Sequence, residues 1–237
     1  MNKLHILHLY PNEMNIYGDR GNLLTLMRRI EWQGLEPVVH FHHAGAALPG
    51  KVDIVLGGGG QDSAQGDIQS DVLRIGPQLH KLADAGVPML MVCGMYQLFC
   101  HRFITNDGKK IKGIGIFDAE TVASAGRMVG NLKVKSDFGI LYGFENHSGR
   151  TVLNKDQAPL GKVLRGNGNN GRDKTEGART NNVFGTYLHG PMLPNNPHFA
   201  DALIEIAAKN AFGKFKPKKI NDGLADLARV GAAKRDY

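Results

Sequence analysis

Hydrophobic runs and helically spaced apolar positions alternate along the first half of the chain. Short apolar runs predict four strands, over residues 4–9, 37–41, 53–56 and 89–92. The intervening segments predict two amphipathic helices, over residues 19–33 and 68–85, each followed by a glycine that can end it. The run at residues 89–92 is apolar at every position, which is typical of a strand buried on both faces. This alternation indicates an α/β fold with an open, mostly parallel sheet flanked by helices.

The second half of the chain has a different pattern. Strand-like runs follow one another over residues 128–135, 140–144, 161–164 and 183–188, and we expect them to extend the sheet or to form antiparallel edge strands. The polar, glycine-rich residues 166–177 predict a loop, which we expect to be mobile. A last amphipathic helix is predicted over residues 199–212. We therefore expect one domain over residues 1–213 and a basic C-terminal extension over residues 214–237, a candidate partner-docking segment.

Composition narrows the classes of protein. The 237 residues include 29 Lys and Arg against 22 Asp and Glu, a net charge of +7. That charge is spread along the chain, and no zinc spacing, phosphate loop or nucleic-acid motif accompanies it, so we expect neither a metal nor a nucleic-acid partner. No apolar stretch approaches the roughly 20 residues of a membrane span, and the N-terminus is too polar for a signal peptide. With only two cysteines, we expect a cytoplasmic protein without disulfides.

Cys93 is the first candidate for chemistry. It lies between the predicted buried strand and a predicted helix that begins with Gly94. A sharp turn from strand to helix exposes the residue at the bend and directs helix N-terminal amides toward whatever it attacks, which favours a nucleophile. The alternative is a buried packing cysteine, which is how we interpret Cys100.

His189 is the candidate base. It follows the apolar run that ends at Leu188 and precedes Gly190 and Pro191. Ligand chemistry in an open α/β sheet gathers at the carboxyl ends of its strands, so a thiol and an imidazole at two strand ends can face each other.

Four consecutive glycines, residues 57–60, follow the third predicted strand. Their backbone amides suit an oxyanion better than a phosphate, because no basic residue stands beside them. We therefore predict an oxyanion hole from Gly59 or Gly60 together with Gly94. A tight strand-to-helix turn is the alternative.

Several motifs together resemble class I glutamine amidotransferases of the cobyric-acid-synthase type. They are GGGGQD at residues 57–62, VCGMYQL at 92–98, GFENHSGRT at 143–151 and GTYLHGP at 185–191. NIYGDRGN at residues 15–22 is most similar to the subgroup that serves as amidotransferase subunits of lipid II isoglutaminyl synthase. The resemblance extends from Leu4 to about Pro217.

The resemblance implies a flavodoxin-like glutaminase that acts as one half of a heterodimer. Cys93 would attack the side-chain amide of L-glutamine, and His189 would act as base and then as acid. Arg127 and Gln97 would bind the substrate, although Arg127 taken alone suits a surface charge equally well. The ammonia would pass to a Mur-ligase-like synthetase that holds ATP and Mg²⁺ and amidates the D-glutamate of the lipid II stem peptide to D-isoglutamine. No cofactor is expected on this chain.

The sequence departs from the wider family at two places. Pro191 stands where ordinary class I amidotransferases place a glutamate, so His189 lacks an orienting carboxylate there, and the partner is expected to supply one. Met91 and Met95 occupy positions around Cys93 that are commonly glycine, so the turn must be slightly reshaped.

Three rival interpretations stay open. An amidotransferase for another acceptor, such as a corrinoid, usually carries a synthetase domain on the same chain, for which 237 residues leave no room. A cysteine hydrolase of small amides or peptides would use Cys93 and His189 but would leave Arg127 without a role. A non-catalytic binding subunit would need neither.

Overall fold

The computed structural model describes residues 1–233, and within these residues the chain forms two β-sheets with helices packed around them. The central sheet has six strands in the order β11–β12–β4–β3–β1–β2. Five of these run parallel: β1 (Lys3–Leu9), β2 (Glu36–His42), β3 (Ile54–Gly57), β4 (Met89–Val92) and β12 (Val183–Thr186). The edge strand β11 (Ala178–Thr180) is antiparallel to β12. The predicted open, mostly parallel sheet with an antiparallel edge strand is confirmed.

Helices cover this sheet because its strands are apolar on both faces. Every residue of β3, β4 and β12 is buried. The helices are α1 (Arg20–Trp32), α2 (Asp62–Asp84), α3 (Gly94–Phe99), α4 (Met192–Asn195), α5 (Pro197–Phe212) and α6 (Gly223–Ala233). Helix α5 contacts β1 and β3, and α1 packs against α5 and β2. The hydrophobic core lies between these layers.

Of the strands predicted in the second half, the one over residues 183–188 extends the central sheet as β12, whereas the others form a separate sheet. Its order is β10 (Thr175–Glu176), β9 (Gly161–Arg165), β7 (Ala119–Ser136), β5 (Arg102–Ile104) and β6 (Lys110–Lys112), and β8 (Gly139–Leu153) also pairs with β7. Strands β7 and β8 form a long antiparallel hairpin whose register shifts between Ala123 and Met128. Such a bulge bends a strand and redirects its side chains.

The loop expected to be mobile is tied into this second sheet. Both carboxylate oxygens of Glu145 accept hydrogen bonds from it, from the Asn167 N–H at 2.7 Å and from the Gly168 N–H at 2.9 Å. Asn169 is fully buried and donates to the Gly177 carbonyl. The polar composition of residues 166–177 therefore reflects internal hydrogen bonding.

Residues beyond α5 fold back onto the domain. Gly213, at a φ of 75°, ends α5, and the buried Arg29 of α1 pairs with Asp222 at 2.7 Å as well as with Asp201 at 2.6 Å. Residues 234–237 of the predicted extension lie outside the described residues. No helix within residues 1–233 is long and apolar enough to cross a membrane.

Candidate active site

Cys93 occupies a strained turn between β4 and α3. Its backbone has a φ of 49° and a ψ of −103°, which L-residues rarely adopt and which costs about 1–3 kcal/mol. Its N–H donates to the Thr186 carbonyl at 2.8 Å, which ties the turn to the end of β12. The side chain is 7% exposed and lines a cavity of about 540 Å³. This is the geometry of a nucleophile elbow, in which strain presents one side chain above the sheet.

His189 lies next to Cys93, just beyond the end of β12. Its N–H and carbonyl both bond to Phe144 of β8, at 2.9 and 3.2 Å, so the second sheet fixes its backbone. The ring is buried, and neither of its nitrogens has a hydrogen-bond partner among the described residues. The aromatic ring of Tyr17 lies against it, with ring centroids 4.4 Å apart.

Gly59 lies beside both Cys93 and the ring of His189. A Cβ atom at Gly59 would lie 3.0 Å from His189 Cε1 and 3.3 Å from Cys93 Cβ. The two side chains therefore flank one small gap that only a glycine leaves open. His189 itself lines a different cavity, of about 370 Å³, and is not among the residues that line the Cys93 cavity.

The three glycines predicted to form the oxyanion hole are brought together, but their amides are used differently. The Gly60 nitrogen lies 3.0 Å from the position of a Cβ on Gly94, so these two amides are neighbours at the start of α3. The Gly59 N–H instead donates to the carboxylate of Asp19 at 2.6 Å. The Gly60 and Gly94 backbones thus lie close together, whereas the Gly59 N–H is engaged by Asp19.

Arg127 lies in the bulge of β7, at the mouth of the Cys93 cavity. Its Nε donates to Asn146 Oδ1 at 2.8 Å, and its Nη2 donates to the Asn146 carbonyl at 2.8 Å and to the Tyr17 hydroxyl at 3.2 Å. The guanidinium is exposed but held in place by these three hydrogen bonds.

Gln97 lines the same cavity, one helical turn after Cys93. Its Nε2 donates to the Tyr187 hydroxyl at 3.2 Å, and its Oε1 accepts from Gln65 at 2.8 Å. Both ends of its amide are therefore engaged by neighbouring side chains.

Burial controls the protonation of the two central groups. Burial first, and the neighbouring Asp19 charge second, raise the pKa of the Cys93 thiol to about 12, although the Gly94 N–H and Arg127 oppose this shift. Burial first, and then His147 and Arg127, lower the pKa of His189 to about 3. At neutral pH the pair is therefore an uncharged thiol beside an uncharged imidazole.

Sequence patterns missed four polar residues of this site: Tyr17, Asp19, Asn146 and His147. All lie in the motifs at residues 15–22 and 143–151, which supported the resemblance without suggesting a role for each side chain. The described residues hold no cluster of three His, Cys, Asp or Glu side chains suited to a metal ion.

Comparison with known proteins places this geometry in a family. The sequence profile of the CobB/CobQ-like glutamine amidotransferase domain matches residues 5–197. The chain is 37% identical over 224 residues to the subunit GatD of a glutamine-hydrolyzing lipid II isoglutaminyl synthase of Staphylococcus aureus, which covers 94% of this chain and 91% of that protein. It is 38% identical to the protein of the same name from Streptococcus pneumoniae, over 90% of this chain and 83% of that one.

Solved structures agree on the fold. The structure of PurLQS from Thermotoga maritima superposes with a TM-score of 0.57 at 14% identity, covering 90% of this chain and 97% of the matched chain.

Proposed function

The chain belongs to the CobB/CobQ-like glutamine amidotransferases, and from that membership we propose that it is the glutamine-hydrolysing subunit of a lipid II isoglutaminyl synthase. Its sequence identity to two GatD subunits, over nine-tenths of the chain, supports lipid II as the molecule that receives the ammonia. The observation that carries the glutaminase chemistry is the gap at Gly59, which Cys93 and His189 flank.

The geometry supports a two-step reaction. The Cys93 thiol passes its proton to His189, and the sulfur attacks the side-chain amide carbon of L-glutamine. The amide oxygen gains negative charge, which the Gly60 and Gly94 amides stabilise. His189 then returns the proton to the amide nitrogen, the carbon–nitrogen bond breaks and ammonia leaves. Water hydrolyses the resulting thioester, which releases glutamate and restores the thiol.

Arg127 is proposed to hold the α-carboxylate of glutamine. Its position at the mouth of the cavity that Cys93 lines supports this role. We expect Arg127→Ala to raise the KM for glutamine far more than it changes kcat. The matched control is Arg102→Ala, which removes an exposed arginine of β5 that forms an ion pair with Glu120 of β7. An unchanged KM in the Arg127 variant would remove this residue from the substrate site.

Cys93→Ala tests the nucleophile, with Cys100→Ala as its control. Cys100 is fully buried and its thiol donates to the Tyr96 carbonyl, so its loss affects packing and leaves the turn at Cys93 in place. We expect glutamine hydrolysis to disappear in the first variant and to persist in the second. Hydrolysis near the wild-type rate in folded Cys93→Ala would refute the assignment.

The orienting carboxylate for His189 is proposed to come from the partner subunit. Pro191 occupies the place of the usual glutamate, and both ring nitrogens of His189 lack a partner among the described residues. A carboxylate beside the ring would raise its pKa and fix its tautomer. We expect hydrolysis to be faster by about 10²–10⁴-fold in the complex than in the free subunit. Equal rates would contradict this proposal.

The partner is proposed to be a Mur-ligase-like synthetase in a cytoplasmic heterodimer, bringing the ATP and Mg²⁺ that amidation requires. Co-purification from the source cell, followed by mass spectrometry of lipid II incubated with glutamine and ATP, tests this. Conversion of the D-glutamate to D-isoglutamine is the expected product. If the complex amidates a corrinoid instead, or if the isolated chain cleaves small amides, the proposal that lipid II is the acceptor is wrong.

A further inference from the structure

The motif at residues 15–22 has no part in the reaction above, yet two of its side chains enter the site. Tyr17 packs on His189 and receives a hydrogen bond from Arg127. Asp19 is 3% exposed, and one of its oxygens accepts the Gly59 N–H at 2.6 Å. Its other oxygen is buried and has no hydrogen-bond partner among the described residues. A buried carboxylate with one unsatisfied oxygen is costly, which points to a use beyond packing.

Asp19 lies at the same gap as the reacting pair. The Cβ position on Gly59 that lies 3.3 Å from Cys93 Cβ also lies 3.3 Å from Asp19 Oδ2. The Asp19 carboxylate and the Cβ of Cys93 therefore both lie beside Gly59. Helix α1 carries this carboxylate at its N-terminus, so the position of α1 sets the position of the glycine loop.

A negative charge at this place opposes a thiolate at Cys93. Burial raises the pKa of Asp19 to about 6, against the effect of the Gly59 N–H, so the group is ionised above that pH. After burial, Asp19 is the largest cause of the raised pKa of the Cys93 thiol. Asp62 of α2 adds to this effect and Arg127 of β7 opposes it. The other titratable groups packed around the gap are His8 beside Asp19, and His147, Tyr17 and His189 around the thiol.

We propose that Asp19 is a positioning residue with two opposed effects: it anchors the glycine loop through Gly59, and it holds Cys93 as the unreactive thiol. The anchor keeps the Gly60 amide beside the Gly94 amide, where both can meet an oxyanion. The charge restrains the nucleophile in the free subunit. The anchor rests on the proposed glutaminase function, whereas the restraint concerns only the thiol.

Two substitutions separate these effects. Asp19→Asn removes the charge but keeps a carbonyl oxygen that accepts the Gly59 N–H. Asp19→Ala removes both. Asp67→Asn, on the exposed side of α2, is the matched control for loss of one negative charge. Cys93→Ala reports any background from Cys100.

The restraint is measured by the rate at which iodoacetamide alkylates Cys93 in the intact subunit between pH 6 and pH 9. Only the thiolate reacts, and each unit by which the thiol pKa falls increases its population about tenfold. We expect about tenfold faster alkylation at pH 7.5 in Asp19→Asn and in Asp19→Ala, and no change in Asp67→Asn. Wild-type alkylation in a folded Asp19→Asn variant would overturn the restraint.

The anchor is measured by glutamine hydrolysis. We expect Asp19→Asn to retain at least the wild-type kcat, and Asp19→Ala to lose about tenfold or more of it without an equal rise in KM. Equal kcat values in the two variants would overturn the anchor. If the wild-type chain hydrolyses no glutamine, alone or with its partner, the proposed function fails, and the alkylation comparison still decides the restraint. Should Asp19→Ala fail to fold, the alkylation rate of Asp19→Asn alone decides whether Asp19 restrains the thiol.

Discussion

Glu145 offers a quantitative test of how the second sheet supports the site. Its side chain is fully buried. Oε1 accepts the backbone N–H and the side-chain amide of Asn167 at 2.7 and 2.8 Å, and Oε2 accepts the Gly168 N–H at 2.9 Å. Oε2 also faces the Nε2 atom of His147 at 3.8 Å. One carboxylate therefore holds residues 167 and 168 next to an imidazole that lines the Cys93 cavity.

Glu145→Gln keeps the shape of this side chain but replaces one acceptor oxygen with a donor. Whichever way the amide turns, at least one buried N–H loses its acceptor, at a cost of about 1–3 kcal/mol. The remaining hydrogen bonds lose the strengthening that a charged acceptor provides, about 1 kcal/mol more. We expect the free energy of unfolding to fall by about 3 kcal/mol. For a chain of this size, that corresponds to a drop in Tm of about 6–12 °C.

Urea unfolding and thermal unfolding measure this difference, with Glu120→Gln as the matched control. Glu120 is on β7, and its side chain is 39% exposed in a pair with Arg102. Such pairs contribute about 0–1 kcal/mol, so we expect little change in the control. If both variants unfold within about 0.5 kcal/mol of each other, the hydrogen bonds at Glu145 do not stabilise the fold as argued.

The Glu145 carboxylate also determines how its contribution to the free energy of unfolding changes with pH. Burial alone would raise the pKa of Glu145, but the neighbouring His147 and the hydrogen bonds from Asn167 and Gly168 lower it below its ordinary value. Because the folded pKa lies below the unfolded pKa of about 4.3, the contribution is complete above that pH. It is lost as pH falls through the folded pKa. We expect the stability gap between the wild type and Glu145→Gln to narrow below about pH 4.3.

Three further outcomes follow from the geometry of the site and the extension. Gly59→Ala puts a methyl group 3.0 Å from His189 Cε1, so glutamine hydrolysis should slow by about 100-fold. Gly126→Ala, whose methyl meets no described atom within 4 Å, should not change the rate. Asp222→Ala removes the ion pair that ties residues 214–222 to Arg29. Limited proteolysis should therefore cleave this segment faster in Asp222→Ala than in the control variant Asp226→Ala. Burial lowers the pKa of His189 to about 3, so below about pH 6.5 the imidazole takes up a proton in the unfolded state but not in the folded state. The free energy of unfolding of the wild type should therefore fall by about 2 kcal/mol between pH 7 and pH 5. His189→Asn should not show this loss.

The central sheet could be predicted because its pattern is local. Strands such as β4 are apolar at every position, and the helices between them show their period over a few turns. The hairpin of β7 and β8 could not be predicted in full, because one face of an antiparallel pair meets solvent and the pattern is diluted. Residues 119–127 are small or polar, and Val122 is 46% exposed, so nothing in that segment indicated a strand.

The residues of the site likewise divide into those that local sequence patterns predict and those that they do not. Cys93 and His189 follow apolar runs directly, so the fold class alone places both at strand ends. Asp19 lies 40 residues from Gly59, and Tyr17 lies 110 residues from Arg127, so only the folded chain brings each pair together. The glycine-rich loop at residues 166–177 depends in the same manner on Glu145, 22 residues away from Asn167. Composition indicates that such a loop is polar, but it does not identify the side chain that accepts the hydrogen bonds of the loop.

The protonation states of Cys93 and His189 bear on the proposed role of the partner subunit. Burial raises the pKa of the thiol and lowers the pKa of the imidazole, and both shifts oppose transfer of the proton from sulfur to nitrogen in the free chain. Two changes reduce that penalty: a carboxylate beside His189 raises the imidazole pKa, and relief of the Asp19 charge lowers the thiol pKa. The first would come with the partner, because Pro191 supplies no such group. Ammonia would then be released mainly where an acceptor is waiting.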